Sequence, residues 1–322
     1  MTAMTDDTLP ETPHAIRDEM IAFGLMTALL LIVPFTGIYP FFVMQALCFA
    51  LLACAFNLLI GYGGLLSFGH AMFLGTAGYV SAHALKVWGL SPELGILVGT
   101  AAACGLGVIT GLVAIRRQGI YFAMITLALS QLLYFIYLQT PFTHGEDGIQ
   151  GIPQGYMFGL LNLANPMVLY YVVLSGFLIG FLVIFRTINS PFGEVLKSIR
   201  ENEQRAISLG YKTEQYKLLA YILSGTLAGF AGSLKVFVAQ NASLTDVHWG
   251  MSGEIVLMTL IGGLGTVFGP VVGAFVFTAM QQYLAGYGQW VTVIQGVIFV
   301  TCVLTFRRGV VGEIAHYFRR SL

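Results

Sequence analysis

Charge is scarce in this sequence. Lys and Arg number 15 and Asp and Glu 15 among 322 residues, 9% in all, against 57% hydrophobic residues. Soluble domains carry roughly 25% charged residues, so a water-facing surface cannot be assembled here, and a bilayer is the solvent that suits the chain. The basic residues sit between apolar runs rather than in a patch, which excludes nucleic acid as a partner. No Gly-Lys-Ser or Gly-Lys-Thr occurs, so the chain has no phosphate-cradling loop for ATP. A nucleophile elbow, a His-Glu-x-x-His helix and carboxylates paired at reactive spacing are missing too, which argues against an enzyme. The four cysteines, Cys48, Cys54, Cys104 and Cys302, all lie in apolar runs without a Cys-x-x-Cys spacing. They read as small buried hydrophobes, and no disulfide framework, metal or other cofactor is expected. The first nineteen residues lack the basic start and small-residue cleavage site of a secretory signal. There Asp6, Asp7, Glu11, Asp18 and Glu19 face Arg17 alone, so the first apolar run reads as a retained span.

What the chain does have is a succession of apolar runs. A span takes about 20 mostly apolar residues, and 20–37, 41–60, 94–114, 120–139, 166–186, 218–239 and 290–306 qualify. The stretch 68–85 carries His70, Ser81 and His83 but is otherwise apolar. The stretch 252–284 is too long for one span and is interrupted by Gly262, Gly263, Gly265, Gly269 and Pro270. Orientation arbitrates, because Lys and Arg loops stay on the cytoplasmic side. If 68–85 crosses once and 252–284 splits into two crossings near Thr266, ten crossings put both termini inside. Thirteen basic residues then face the cytoplasm: Arg17, Arg116, Arg117, Arg186, Lys197, Arg200, Arg205, Lys212, Lys217, Arg307, Arg308, Arg319 and Arg320. Only Lys86 and Lys235 face out. The expected fold is an all-α integral membrane protein, a polytopic bundle of about ten transmembrane segments, some of them broken or half-length, with both termini cytoplasmic.

Two glycine-rich breaks resemble one another. Gly61-Tyr-Gly-Gly-Leu-Leu-Ser-Phe-Gly69 and Gly262-Gly-Leu-Gly-Thr-Val-Phe-Gly-Pro270 each hold Gly-Gly-Leu, then a hydroxyl residue, then Phe-Gly, and each falls on the inner side. Interrupted helices in corresponding positions point to a transporter's substrate pathway, while close packing through small residues accounts for them equally well. Gly63, Gly64, Ser67, His70, Glu254, Gly262 and Gly263 are therefore candidate path residues. His70 and Glu254 are the ionisable groups nearest the breaks. A simple hydrogen-bonded histidine and a capping carboxylate are the alternatives to a role in the path. Asn57 and Gln131 read as polar glue between helices.

The inner loop 187–217 carries the amphipathic stretch Glu194-Val-Leu-Lys-Ser-Ile-Arg-Glu-Asn-Glu-Gln-Arg-Ala-Ile-Ser-Leu-Gly210. Val195, Ile199, Ala206 and Leu209 recur at near-helical spacing, and Gly210 is a natural stop. Its mixed charges favour a protein partner over lipid headgroups, which prefer a purely basic face. The outer loop 140–165, with His144, Glu146 and Asp147, faces no second cluster of ligands and reads as an ordered surface loop.

The run Asn57-Leu-Leu-Ile-Gly-Tyr-Gly-Gly-Leu-Leu-Ser-Phe-Gly-His-Ala-Met-Phe-Leu-Gly75 resembles the signature of inner-membrane permease subunits of branched-chain amino acid ABC importers, the M-type subunit in particular. So do Gly119-Ile-Tyr-Phe-Ala-Met-Ile-Thr-Leu-Ala and the outer loop with Gly145, Asp147, Gly148, Gly151, Ile152 and Pro153. The inner run Arg200-Glu-Asn-Glu-Gln-Arg-Ala-Ile-Ser-Leu-Gly-Tyr211 and the late Ile261-Gly-Gly-Leu-Gly-Thr-Val-Phe-Gly-Pro-Val-Val-Gly-Ala274 match as well, so the resemblance covers about residues 40–308. It implies a bacterial inner-membrane, multi-pass permease paired with a second homologous permease subunit, two cytoplasmic ATP-binding subunits that use the ATP, and a periplasmic substrate-binding protein. With the apolar runs and the charge pattern it gives an expected transmembrane permease domain (20–308) with a coupling loop (187–217), between a basic cytoplasmic tail (309–322) and an acidic cytoplasmic tail (1–19) that lies outside the resemblance. Glu203, Ala206 and Gly210 stand where such permeases carry glutamate, alanine and glycine, and Glu194, Arg200, Glu201 and Arg205 complete the expected ATPase-coupling set. The outer loop departs from the family pattern: His144-Gly145 replaces a glycine pair and Glu146 is added.

Branched-chain or other hydrophobic amino acids are the default cargo that the resemblance implies, with urea, short amides and small organic acids as alternatives within the family. An ion-coupled secondary transporter is the rival class. It wants several intramembrane acids or histidines, where this chain offers His70 and Glu254.

Overall fold

A helix that is apolar on every side must be enclosed, and here the protein itself encloses one. The computed structural model describes residues 13–35, 37, 39–288, 290–305 and 309–317. Through its centre runs α2 (Pro40–Asn57), started by a proline at its first turn and buried along almost its whole length beyond Val43. Around it pack α6 (Pro166–Ile188), α9 (Thr213–Ala239), α10 (Trp249–Gly262) and α11 (Gly269–Leu284), while α3 (His70–Lys86) meets its end where the His70 ring lies against Phe56. On one flank, α4 (Pro92–Ala114) joins α3 and α9 in a tight trio. Ser81 Oγ lies 2.9 Å from both Gly95 O and Ser233 Oγ there, polar glue in an apolar setting. The outer positions belong to α1 (Pro13–Ile32), α5 (Ile120–Gln139) and α12 (Trp290–Thr305). Along α5, Ile120, Tyr121, Met124, Leu132, Phe135 and Ile136 are exposed, an apolar face that suits lipid or a partner chain and not water.

Among the described residues, five helices are long and apolar enough to cross a membrane, Pro40–Tyr62, Pro92–Ala114, Ile120–Gln139, Pro166–Ile188 and Thr213–Ala239. The protein is an all-α membrane protein, and each of the ten apolar segments found in the sequence forms a helix. The stretch 252–284 divides into α10 and α11, antiparallel neighbours whose backbones nearly touch. A Cβ on Gly273 would lie 1.8 Å from Met258 O, so only glycine fits that crossing. Gly263, where the chain leaves α10, has φ +123°, a conformation that side chains rarely adopt.

Two expectations require correction. The inner loop forms two helices, α7 (Pro191–Glu201) and α8 (Glu203–Ser208), where one was expected. Asn202 between them is extended, and its Oδ1 accepts from Arg205 N at 3.0 Å, capping α8. The apolar face also differs. Leu196, Ile199 and Ala206 are buried, whereas Leu209 is 68% exposed because it lies just past the end of α8. The basic end is not simply a tail, since 309–317 form α13 (Gly309–Tyr317), and Gly309 packs so closely on Gly263 that a Cβ would come 2.4 Å from its Cα. The acidic residues Asp6, Asp7 and Glu11 lie outside the described residues, as do Arg307, Arg308, Arg319 and Arg320.

The outer loop is tied down at two places. Strand β1 (Ile149–Gln150) follows two short 3-10 turns. The hairpin of β2 (Tyr156–Met157) and β3 (Leu161–Asn162) comes next. β1 pairs antiparallel with β4 (Asn241–Ala242), just after α9, and Lys86 Nζ donates to Gln150 O at 2.6 Å.

Candidate functional site

The two glycine-rich breaks, some two hundred residues apart in sequence, meet in space. After Asn57 the last turn of α2 widens into a π-helical turn, Leu58–Tyr62. The Asn57 side chain crosses to the other break, donating from Nδ2 to Thr266 O at 2.8 Å and accepting at Oδ1 from Gly265 N at 3.0 Å. One amide thereby satisfies two backbone groups that no helix serves. Gly61 lies opposite Gly265, and a Cβ at Gly61 would sit 2.8 Å from Gly265 N. Gly63 and Gly64 follow Gly61 along the chain, and Gly262 and Gly263 precede Gly265 at the end of α10.

Arg200, at the end of α7, joins the same place from the surface loop. Its Nη1 donates to Gly61 O, and its alkyl stem covers Gly64, where a Cβ would lie 3.0 Å from Arg200 Cγ. The inner loop therefore touches the first break directly, and the second through Asn57. Other expected coupling residues divide into two groups. Glu203 folds back onto α9, its Oε2 2.5 Å from Lys217 Nζ and its Oε1 accepting from Thr213 Oγ1 at 3.1 Å. Ala206 is buried. By contrast Glu194, Glu201, Arg205 and Gly210 are exposed, as are the apolar Ile207, Leu209 and Tyr211 beside them. Glu194 also pairs with Lys197 at 2.9 Å.

Two more candidates lie deeper. Ser67 Oγ accepts from Gly69 N at 3.3 Å at the start of α3. His70 is fully buried, its ring edge-on to Phe56 and Phe73 at 5.0 and 5.7 Å. Its Nε2 is 2.8 Å from Ser224 Oγ, which in turn donates to Ala55 O at 2.5 Å. With the serine proton committed to Ala55, Nε2 is the donor. His70 thus pins α2, α3 and α9 together at one level, within the packed core.

Glu254 is far from the breaks, at the opposite end of the bundle. It lines a cleft of about 400 Å³ with Gln45, Lys235, Asp246, His248 and Gln281. Gln281 Nε2 donates to its Oε2 at 3.2 Å. Lys235 is ion-paired with Asp246, and its Nζ lies 5.6 Å from the centre of the Phe49 ring. Sequence reasoning passed over this pair. The available signal was Lys235 itself, a cation inside an apolar run and one of two on the outer side. Among the described residues, no group of three His, Cys, Asp or Glu side chains could hold a metal ion.

Comparison with known proteins gives the chain's relatives. A family model described as branched-chain amino acid transport system, permease component, matches residues 38–304. The high-affinity branched-chain amino acid transport system permease protein LivM of Escherichia coli is 24% identical over 289 residues, 81% of this chain and 67% of that protein. LivM of Salmonella typhimurium is 24% identical over 293 residues, covering 82% and 68%. The autoinducer 2 import system permease protein LsrC of Salmonella typhimurium is 30% identical over 149 residues, 44% of this chain and 41% of that one. No solved structure matches the chain.

Proposed function

This chain belongs to the family of branched-chain amino acid transport system permease components, and on that premise we propose that it forms one half of the membrane pathway of an ATP-driven amino acid importer. It is a multi-pass permease subunit of an ABC importer rather than an enzyme. In the proposed assembly it pairs with a second, homologous permease subunit in a bacterial inner membrane. Two cytoplasmic ATP-binding subunits hydrolyse the ATP, and a periplasmic binding protein delivers branched-chain or other hydrophobic amino acids. The chain crosses ten times, through α1–α6 and α9–α12, with both termini cytoplasmic.

One observation carries the coupling part of this reading. Arg200, on the proposed ATPase-docking loop, bonds to Gly61 of one helix break, and Asn57 links that break to the other. A push on α7 and α8 thereby reaches the first break directly and the second through the Asn57 amide. The exposed Glu201, Arg205, Ile207 and Leu209 present the docking surface, a charged rim around apolar side chains. Glu203 and Ala206 brace it from behind, and Glu194 and Gly210 flank it. Closure of the ATPases would move this loop as a body and switch the bundle between outward and inward access. Gly63, Gly64, Gly262 and Gly263 are the proposed moving part of the path, with Ser67 and His70 anchoring α3 beside them and Glu254 at its outer end.

The test is purification of the chain with its co-expressed partners, followed by ATP-driven uptake of leucine in proteoliposomes. Glu201→Arg combined with Arg205→Glu reverses exposed charges without touching the Glu203–Lys217 pair. We expect it to release the ATPase subunits while the second permease stays bound. A homomer that carries no ATPase and takes up substrate on a proton or sodium gradient would refute the proposal.

A further inference from the structure

The outer cleft holds polar groups that folding alone does not explain. Ionisable side chains at membrane depth are costly unless they pair or meet water or a ligand. Lys235 lies four residues before the end of α9, about 6 Å below it at the helical rise. It has its partner in Asp246, and both are mostly buried, at 14% and 13% side-chain exposure. Glu254 pairs with no cation among the described residues. Among the described residues its hydrogen-bond partner is the neutral amide of Gln281. With His248 neutral, its Nδ1 accepting from Gly250 N at 3.2 Å, one ammonium against two carboxylates leaves the cleft a net charge of −1, and that surplus sits on Glu254.

The shape agrees with the charge. At about 400 Å³ the cleft is in the size range of small-ligand sites. Its apolar wall, Phe49 and Met251, lies beside the charged groups, so a ligand with a charged head and an apolar body finds both. We propose that this cleft is a binding station for the head group of a zwitterionic amino acid, with Glu254 receiving the α-ammonium group and the Lys235–Asp246 pair orienting the α-carboxylate. The inference rests on the amino acid importer reading and adds residues to it. Glu254 contacts the cargo, whereas Asp246 is a positioning residue that holds Lys235 in place. The two glycine breaks at the inner end take no part in recognition.

The experiment uses the complete complex in proteoliposomes with loaded binding protein, reading leucine uptake and ATP hydrolysis in one sample. Glu254→Gln should cut leucine moved per ATP about tenfold or more, the scale of one hydrogen bond to a charged group, and Glu254→Asp should restore most of it. A second reading does not depend on turnover. In a background with Cys48, Cys54, Cys104 and Cys302 replaced, Gln45→Cys should react with a cationic thiol reagent. Leucine should slow that reaction, and 4-methylpentanoate, which lacks the amino group, should not. Unchanged leucine per ATP in Glu254→Gln beside an active wild type overturns this inference alone, as does equal protection by both compounds. Uptake that collapses when a proton or sodium gradient is dissipated would make Glu254 a coupling-ion site and overturn it too. A wild-type complex that moves no amino acid overturns the importer reading and this inference with it.

Discussion

Replacing Asn57 tests the meeting of the two breaks. Its side chain makes two hydrogen bonds to backbone, at 2.8 Å and 3.0 Å, and is 2% exposed. Hydrogen bonds between membrane helices average about 0.6 kcal/mol and reach about 1.7. Asn57→Leu, close in volume but unable to bond, should therefore cost about 1–3 kcal/mol for the pair. For a chain of this size that is a fall in Tm of about 1.5–4.5 °C. Thermal unfolding in detergent, followed by the loss of the monodisperse peak, reads it directly. Thr301→Val is the control, since the Thr301 hydroxyl bonds only within its own helix, to Val297 O at 2.8 Å, and its Tm should not move. Arg200→Ala should show a coupled loss, because Arg200 and Asn57 hold the same pair of breaks. In a double-mutant cycle the two changes should depart from additivity by about 0.5 kcal/mol or more. Wild-type Tm in Asn57→Leu, or strict additivity with Arg200→Ala, would refute the claim that this amide and this guanidinium act on one joint.

Three further outcomes are expected. Glu203→Ala strands Lys217, 4% exposed, without its partner and should destabilise by about 3–5 kcal/mol. Glu194→Ala, from a carboxylate 62% exposed, should cost less than about 1 kcal/mol in the same melts. Gly273→Ala should abolish the folded hairpin of α10 and α11, since Met258 O occupies the new atom's place. Gly105→Ala, with nothing within 4 Å, should be neutral or stabilise by about 0.5–1 kcal/mol, as judged by expression and size exclusion. In a cysteine-free background, Glu146→Cys should react with an impermeant maleimide added outside intact cells and Gln204→Cys should not. The reverse pattern would overturn the ten-crossing orientation.

How much was legible in advance varied with the kind of interaction. The segment 120–139 coincides with α5 because apolar residues end abruptly in Gly119 on one side and Thr140-Pro141 on the other. The division of 252–284 was readable too, from a glycine cluster followed by a proline at the start of α11. What could not be read was which distant groups would meet. Nothing local says that Asn57 will serve Thr266, or that Arg200 will turn inward to Gly61 while Arg205, on the next helix, stays in solvent. Those choices depend on helix packing over a separation of more than a hundred residues. Glu254 is the ionisable residue nearest the second break in sequence, and its place toward the outer end of its segment was legible, since eight residues of helix carry it about 12 Å away from Gly262.

The π turn at Leu58–Tyr62 makes chain length, as well as residue type, a constraint on this protein. An ordinary helix of the same span would need one residue fewer per turn, so five residues here do the work of about four. Deleting one of them would let α2 continue as a regular helix, and no buried side chain need be lost. The cost would fall downstream. Every residue after the deletion would turn by about 100° and shift by about 1.5 Å, carrying the Gly61 carbonyl away from Arg200 and Gly265. At this joint, an edit that improves the helix should be worse for the protein than many that spoil it.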